Sequence, residues 1–223
     1  MFTKKLNHYL RAVLGVSAIS VVLAFSGQAS AALMSASFED NDCAGYFGDN
    51  FGSCQIFIDS DGQRIEISPV IHKIDYNDDG SIQATDTNGS LFPTIDGSEF
   101  SAGGMTAGEG SWTYTPGADD PSVRYWATKG GNVGFNLFWE VADTAVGDTC
   151  DASNAYTLSC LNEALMVTSG TWFNQINPSG KNAGLSHITF YDSKPPTNVP
   201  EPGTALMLGL GLLGFGMRKK FKL

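Results

Sequence analysis

Apolar residues in this chain recur at every second position in short runs, and that pattern confines it to antiparallel β structure. Arg64–Ile67, Ser111–Thr115, Val123–Thr128, Val133–Val141 and His187–Tyr191 all alternate or are rich in aromatics. Between them stand Asp61-Gly62, Asp79-Gly80, Asn88-Gly89, Asp96-Gly97, Pro116-Gly117 and Gly130-Gly131, pairs that reverse a chain sharply. The fold class expected is all-β: a single antiparallel β-sandwich, of jelly-roll or immunoglobulin-like topology. Only Asn162–Thr168 tempts a helix assignment, and no repeat period is present.

The two ends are different. Lys4, Lys5 and Arg11 precede an apolar run from Ala12 to Phe25, and Ala29-Ser30-Ala31 supplies small residues at signal-peptidase spacing. Residues 1–31 are therefore expected to be a cleaved signal helix, with Ala32 the first mature residue. At the other end Gly203–Met217 is an uncharged, glycine-rich stretch followed by Arg218, Lys219, Lys220 and Lys222. Its length is marginal against the roughly 20 residues of a spanning helix, and the basic cluster would stay cytoplasmic. The organisation expected is a signal over 1–31, a secreted β-sandwich over 32–192, a Pro-containing spacer over 193–199 and a tail over 200–223. In that tail an apolar helix spans 203–217 and a basic end 218–223.

Pro200-Glu201-Pro202, the apolar segment and Arg218-Lys219-Lys220 occur in the order of a PEP-CTERM sorting domain, and the tail resembles that family. The same tail is also described as the ice-binding protein C-terminal domain, a label that says nothing about binding ice. The resemblance covers about a tenth of the chain and implies an address: processing by an exosortase after signal peptidase. It further implies export through the inner membrane of a Gram-negative bacterium and transient anchoring with the ectodomain periplasmic. The destination would be the cell surface or the exopolysaccharide matrix. Leu185-Ser186-His187-Ile188-Thr189-Phe190-Tyr191 resembles the last strand of many ectodomains of this family.

Residues 32–199 hold six basic against 22 acidic residues, a formal charge of −16. Such a surface repels phosphate backbones, so nucleic acid is not an expected partner. Cys43, Cys54, Cys150 and Cys160 form an even set in an exported chain. Three pairings are open; each local pair brackets a loop rich in Gly, Asn, Asp or Ser, which favours Cys43 with Cys54 and Cys150 with Cys160. Bridges over loops this short contribute about 2 to 3 kcal/mol each and are expected to staple loops more than hold the core. No cysteine spacing suits zinc.

The sharpest internal motif is Asp75-Tyr76-Asn77-Asp78-Asp79-Gly80-Ser81-Ile82-Gln83-Ala84-Thr85-Asp86. Asp75, Asn77, Asp79 and Asp86 fall at calcium-loop positions, and Asp at the end resembles a dockerin loop. Thr87–Pro93 cannot supply the second helix such loops require. The reading taken is a hairpin, Ile71–Tyr76 against Ser81–Thr85 across Asn77–Gly80, with no cofactor; calcium is the alternative. His72 and His187 lie in strand-like runs far apart, His187 expected as a hydrogen-bonded strand residue. No Gly-x-Ser-x-Gly elbow or phosphate loop occurs. Asp119-Asp120 reads as a solvated turn rather than a glycosidase pair.

Trp112, Tyr114, Tyr125, Trp126, Phe135, Phe138, Trp139 and Trp172 are the expected core, or in part an exposed surface for stacking sugars. Neighbours in Tyr125-Trp126 and Phe138-Trp139 point to opposite faces, so one of each pair leaves the core unless both sheet faces are covered. No catalytic residue is assigned. The function expected is a non-enzymatic structural or adhesive surface protein. The alternatives are a polysaccharide-binding module, with or without calcium, and a secreted hydrolase.

Overall fold

The computed structural model describes residues 30–60 and 62–192; the segments expected as signal (through Ala29), spacer and tail lie outside them. Ten strands make up the domain: β1 (Ala31–Phe38), β2 (Gln55–Ser60), β3 (Gln63–Tyr76), β4 (Ile82–Thr87), β5 (Phe100–Gly103), β6 (Glu109–Tyr114), β7 (Val123–Gly130), β8 (Phe135–Ala142), β9 (Ser169–Phe173) and β10 (Leu185–Asp192). All pairings between them are antiparallel. The larger sheet runs β1-β8-β7-β10-β3-β2, with β4 also on β3, and the smaller runs β5-β6-β9. This seven-and-three division is an all-β sandwich, but neither the immunoglobulin arrangement nor a pair of equal jelly-roll sheets.

β3 reaches 14 residues because it serves two partners in succession. Its first half pairs with β2 from Gln63 to Pro69, and its second half pairs with β4 from His72 to Tyr76. Pro69, which cannot donate to a ladder, sits at the changeover. β10, the last strand of the domain, lies in the middle of the sheet between β7 and β3.

Both faces of the larger sheet are covered. One carries a cluster of Ile71, Ile74, Trp112, Trp126, Phe138, Trp172, Ile188 and Phe190 beneath the three-stranded sheet. The opposite face carries Phe47, Ile56, Tyr125, Leu137, Trp139, Leu161 and Tyr191 beneath the segments between strands. Tyr125 and Trp126 therefore point into different cores, as do Phe138 and Trp139, and none of the four leaves the interior. The two sheets approach closely at Gly170, where a Cβ would lie 2.7 Å from the Trp126 ring and 2.8 Å from Trp112 Nε1. Only a residue without a side chain fits there.

The second face is closed by the disulfides. Cys43–Cys54 and Cys150–Cys160 form as the local pairing expects. All four sulfur-bearing residues are buried within the cluster they cover. That corrects the expectation that the bridges staple loops more than hold the core: they are part of the core, replacing the second sheet that this face lacks. A short helix, α1 (Leu158–Asn162), sits beside the second bridge, capped by the Thr157 side chain on Cys160 N. The helix thus begins before Asn162 rather than after it, because Thr157 supplies the cap and Leu161 the buried contact. Residues 163–168 continue as turn and extended chain.

Candidate functional site

Three places concentrate polar or aromatic side chains. The first is buried. In β10 the alternate residues His187, Thr189 and Tyr191 face the disulfide-covered core, while Ile188 and Phe190 face the other. The polar three are tolerated because Asp42 is lowered onto them by a wide turn, closed by Tyr46 N–H to Asn41 O at 2.8 Å and Phe47 N–H to Asp42 O at 2.7 Å. Asp42 Oδ1 pairs with His187 Nε2 at 2.8 Å and accepts from Cys43 N at 2.7 Å. Asp42 Oδ2 accepts from Thr189 Oγ1 at 2.6 Å and Tyr191 OH at 3.4 Å. The Tyr191 hydroxyl also stands 3.4 Å from Cys54 Sγ and 3.6 Å from Cys43 Sγ.

Burial alone would raise the Asp42 pKa. The His187 ring and the donors around it outweigh that and hold the carboxyl well below the usual range. Burial, reinforced by the Asp42 carboxylate, pushes the Tyr191 phenol well above its ordinary value. The arrangement extends sideways: His187 Nδ1 is 3.8 Å from Asp75, which pairs with Lys73 Nζ at 2.5 Å. Every oxygen of Asp42 is engaged, so this is a structural network and not an open catalytic dyad. His187 is thus the hydrogen-bonded strand residue expected. Asp42 was invisible to sequence reasoning, since an Asp that follows Glu39, Asp40 and Asn41 in an acidic turn has no period and no motif. The signal that could have found it is the run of polar residues at alternate positions of a central strand, which demands a partner.

The second place is the hairpin that the calcium pattern marks. β3 and β4 pair His72 with Thr87, Lys73 with Asp86, Ile74 with Thr85 and Asp75 with Ala84. Strand β4 begins one residue later and ends two later than expected. The tip closes by Asn77 N–H to Ser81 O at 2.9 Å, with Gly80 at φ +83°. Asp79 is occupied by Ser81, accepting from its N–H at 2.9 Å and its hydroxyl at 2.6 Å. Asp75 is held by Lys73, and Asp86 lies in register with Lys73, two positions away from Ala84, the residue opposite Asp75. Of the four calcium candidates Asp75 and Asp86 thus lie on the ladder and Asn77 and Asp79 in the tip, and among the described residues no group of three acidic, His or Cys side chains is placed to hold a metal ion.

His72, on the other face of β3 from Lys73, is buried against Phe100 with ring centroids 4.9 Å apart, and its Nδ1 meets Thr87 Oγ1 at 3.0 Å. Burial lowers its pKa. Asp120 accepts from Gly117 N at 2.6 Å in a turn, as expected. It borders a recess of about 170 Å³ lined also by Tyr114, Pro116, Pro121, Met166 and Val167. The recess brings one carboxylate, not a pair, to its wall.

The third place is on the surface. Trp112, Tyr114, Tyr125, Trp126, Phe135, Phe138, Trp139 and Trp172 are all buried, so none of them forms an exposed row. A different set does reach solvent. Tyr46 is 39% exposed and packs on Phe38 (centroids 4.5 Å), Phe47 (5.1 Å) and Phe57 (5.7 Å, planes 12° apart). Arg64 covers the far ring, its Cζ 3.5 Å from the Phe57 centroid. Gln55 Nε2 donates to Glu66 at 3.2 Å in the same hairpin.

These features define an acidic, disulfide-closed β-sandwich domain with a polar lock in its core. A family model for the PEP-CTERM protein-sorting motif matches residues 198–220, so the chain carries that motif immediately after the domain and is an exported, exosortase-sorted protein. No curated protein and no solved structure matches the chain. Pro200, Glu201, Pro202, Arg218, Lys219 and Lys220 lie in the matched segment and, with Ala29, outside the described residues. Ala31 and Ala32, the expected cleavage site, are the first two residues of β1, opposite Ala142 and Val141. Among the described residues no helix is long and apolar enough to cross a membrane.

Proposed function

We propose that the domain is a non-enzymatic structural component of the cell surface or extracellular matrix, delivered there by its sorting tail. The observation that carries this reading is the use made of His72 and His187. His187 is committed to Asp42 inside the core, and His72 is buried under Phe100. General acid or base work needs a group that can reach substrate, and both rings are enclosed by packing. The buried bridges suit a protein that must last in an oxidising, unprotected setting. A cleaved signal and removal of the tail by the exosortase complete the route, with Pro200 and Pro202 as part of the recognised motif. In a host that encodes an exosortase, changing both prolines to Ala leaves the protein unsorted in the envelope fraction. Normal tail cleavage and surface delivery of that variant would overturn the sorting role assigned to the two residues.

A further inference from the structure

We propose that the surface around Tyr46 is a carbohydrate-binding platform for neutral, pyranose-based polysaccharide. The proposal rests on the reading of the domain as a matrix component and names what it would hold there.

Of the aromatic rings in this domain most are spent on the two cores, so an exposed one calls for a reason. Tyr46 is not a loose side chain. The wide turn at Asp42–Tyr46 fixes its backbone, the Cys43–Cys54 bridge fixes the turn, and three rings, Phe38, Phe47 and Phe57, support it from beneath. A ring held rigid before contact loses little entropy when a sugar stacks on it. Phe38 and Phe57 are half-buried beneath it, Phe38 against Phe135 and Phe57 under Arg64, so Tyr46 is the ring of this group that reaches solvent.

The polar groups beside Tyr46 match the other half of sugar recognition. Sugars present an apolar face of C–H groups and an equatorial belt of hydroxyls, each of which donates and accepts. Arg64 lies over Phe57, the ring stacked on Tyr46, and is a planar group with five donors and no acceptor. Glu66 and Gln55, in the same hairpin, add acceptors and an amide, and Asp59 sits in register opposite Arg64. Planar side chains beside an exposed aromatic ring recognise hydroxyl pairs while the ring takes the C–H face.

Charge selects within the carbohydrates. The formal charge of −16 over residues 32–199 repels a uronate or sulfated chain, whereas an uncharged polymer pays no such penalty.

The test uses the full-length protein in a non-glycosidic detergent, run through native gels containing hydroxyethylcellulose, glucomannan, dextran or, as the acidic polymer, alginate. Retardation by at least one neutral polymer is expected, weakened about tenfold by Tyr46→Ala and retained by Tyr46→Phe. Arg64→Ala, on an exposed side chain, weakens it as well and carries the test if Tyr46→Ala melts below the assay temperature. Phe173→Ala, at an exposed ring of the smaller sheet, leaves it unchanged. Absence of retardation by every neutral polymer, retardation by alginate alone, or undiminished binding in both Tyr46→Ala and Arg64→Ala would overturn the platform. Sorting is read separately, since a Pro200/Pro202 variant that fails to reach the surface still binds in the gel.

Discussion

Asp42 and His187 lie 145 residues apart in the chain and meet at 2.8 Å in the core, with Asp42 fully enclosed. Their contact ties a loop at the start of the domain to the central strand at its end. It is made possible by the adjacent Cys43–Cys54 bridge, which positions the turn that carries the carboxylate.

Asp42→Ala should therefore be among the most damaging single changes. It strands His187, Thr189 and Tyr191 without their acceptor, and leaving buried polar groups unsatisfied costs about 1 to 3 kcal/mol each. Denaturant melts of wild type and variant would measure it; a loss under about 1 kcal/mol would show that the network contributes little.

Acid should act in two stages. His72 prefers its neutral form in the fold, so stability begins to fall as pH drops below the ordinary histidine value of about 6.5. Asp42 prefers its charged form, so its contribution is complete above the ordinary carboxylate value of about 4 and is lost as pH falls below that. Melting temperature against pH should show both declines, and His72→Gln should remove the upper one alone.

Alkali should act through the tyrosines. Burial raises the phenols of Tyr76 and Tyr125 to about 12, and that of Tyr191 rises well above its ordinary value. Stability that depends on the neutral phenols is complete below pH 10 and declines as pH climbs past it. Absorbance titration at 295 nm should find these rings ionising together with unfolding, while the exposed Tyr46 titrates apart from that transition.

The two bridges close loops of nearly the same size, with sequence separations of 11 and 10. Chain entropy alone predicts equal effects of removal, about 2 to 3 kcal/mol each. Cys43→Ala with Cys54→Ala should cost more than Cys150→Ala with Cys160→Ala, because the first pair also holds Asp42 in place. Equal losses would separate the bridge from the network.

Calcium should change little. With Asp79 engaged by Ser81 and Asp75 by Lys73, assembling a site would require breaking the hairpin ladder. Thermal melts in millimolar calcium and in chelator should nearly coincide; a rise equivalent to about 2.7 kcal/mol, the value for a hundredfold excess over Kd, would reveal a site.

The β class, the hairpin after Tyr76 and both bridges were legible because each depends on local signals: alternation, turn pairs and short loops between cysteines. The covering of both sheet faces was not, because Tyr125-Trp126 and Phe138-Trp139 look the same whether one ring or both are enclosed. Only the placement of the disulfide-bearing segments decides it. Asp42 escaped for the same reason, its role being set by a strand 145 residues away. The exposed Tyr46 was missed because it belongs to a segment with little apparent period.

The position of β10 has a mechanical consequence. Tension on the sorting tail enters the domain through Asp192, at the end of a strand bonded along both edges, to β7 and to β3. Pulled along its axis, such a strand loads two rows of hydrogen bonds in shear at once, and Asp42 adds a cross-tie from above. An edge strand would peel away one bond at a time. While the tail is attached, a pull on it would thus meet the domain at a strand seated between two neighbours and not at an edge.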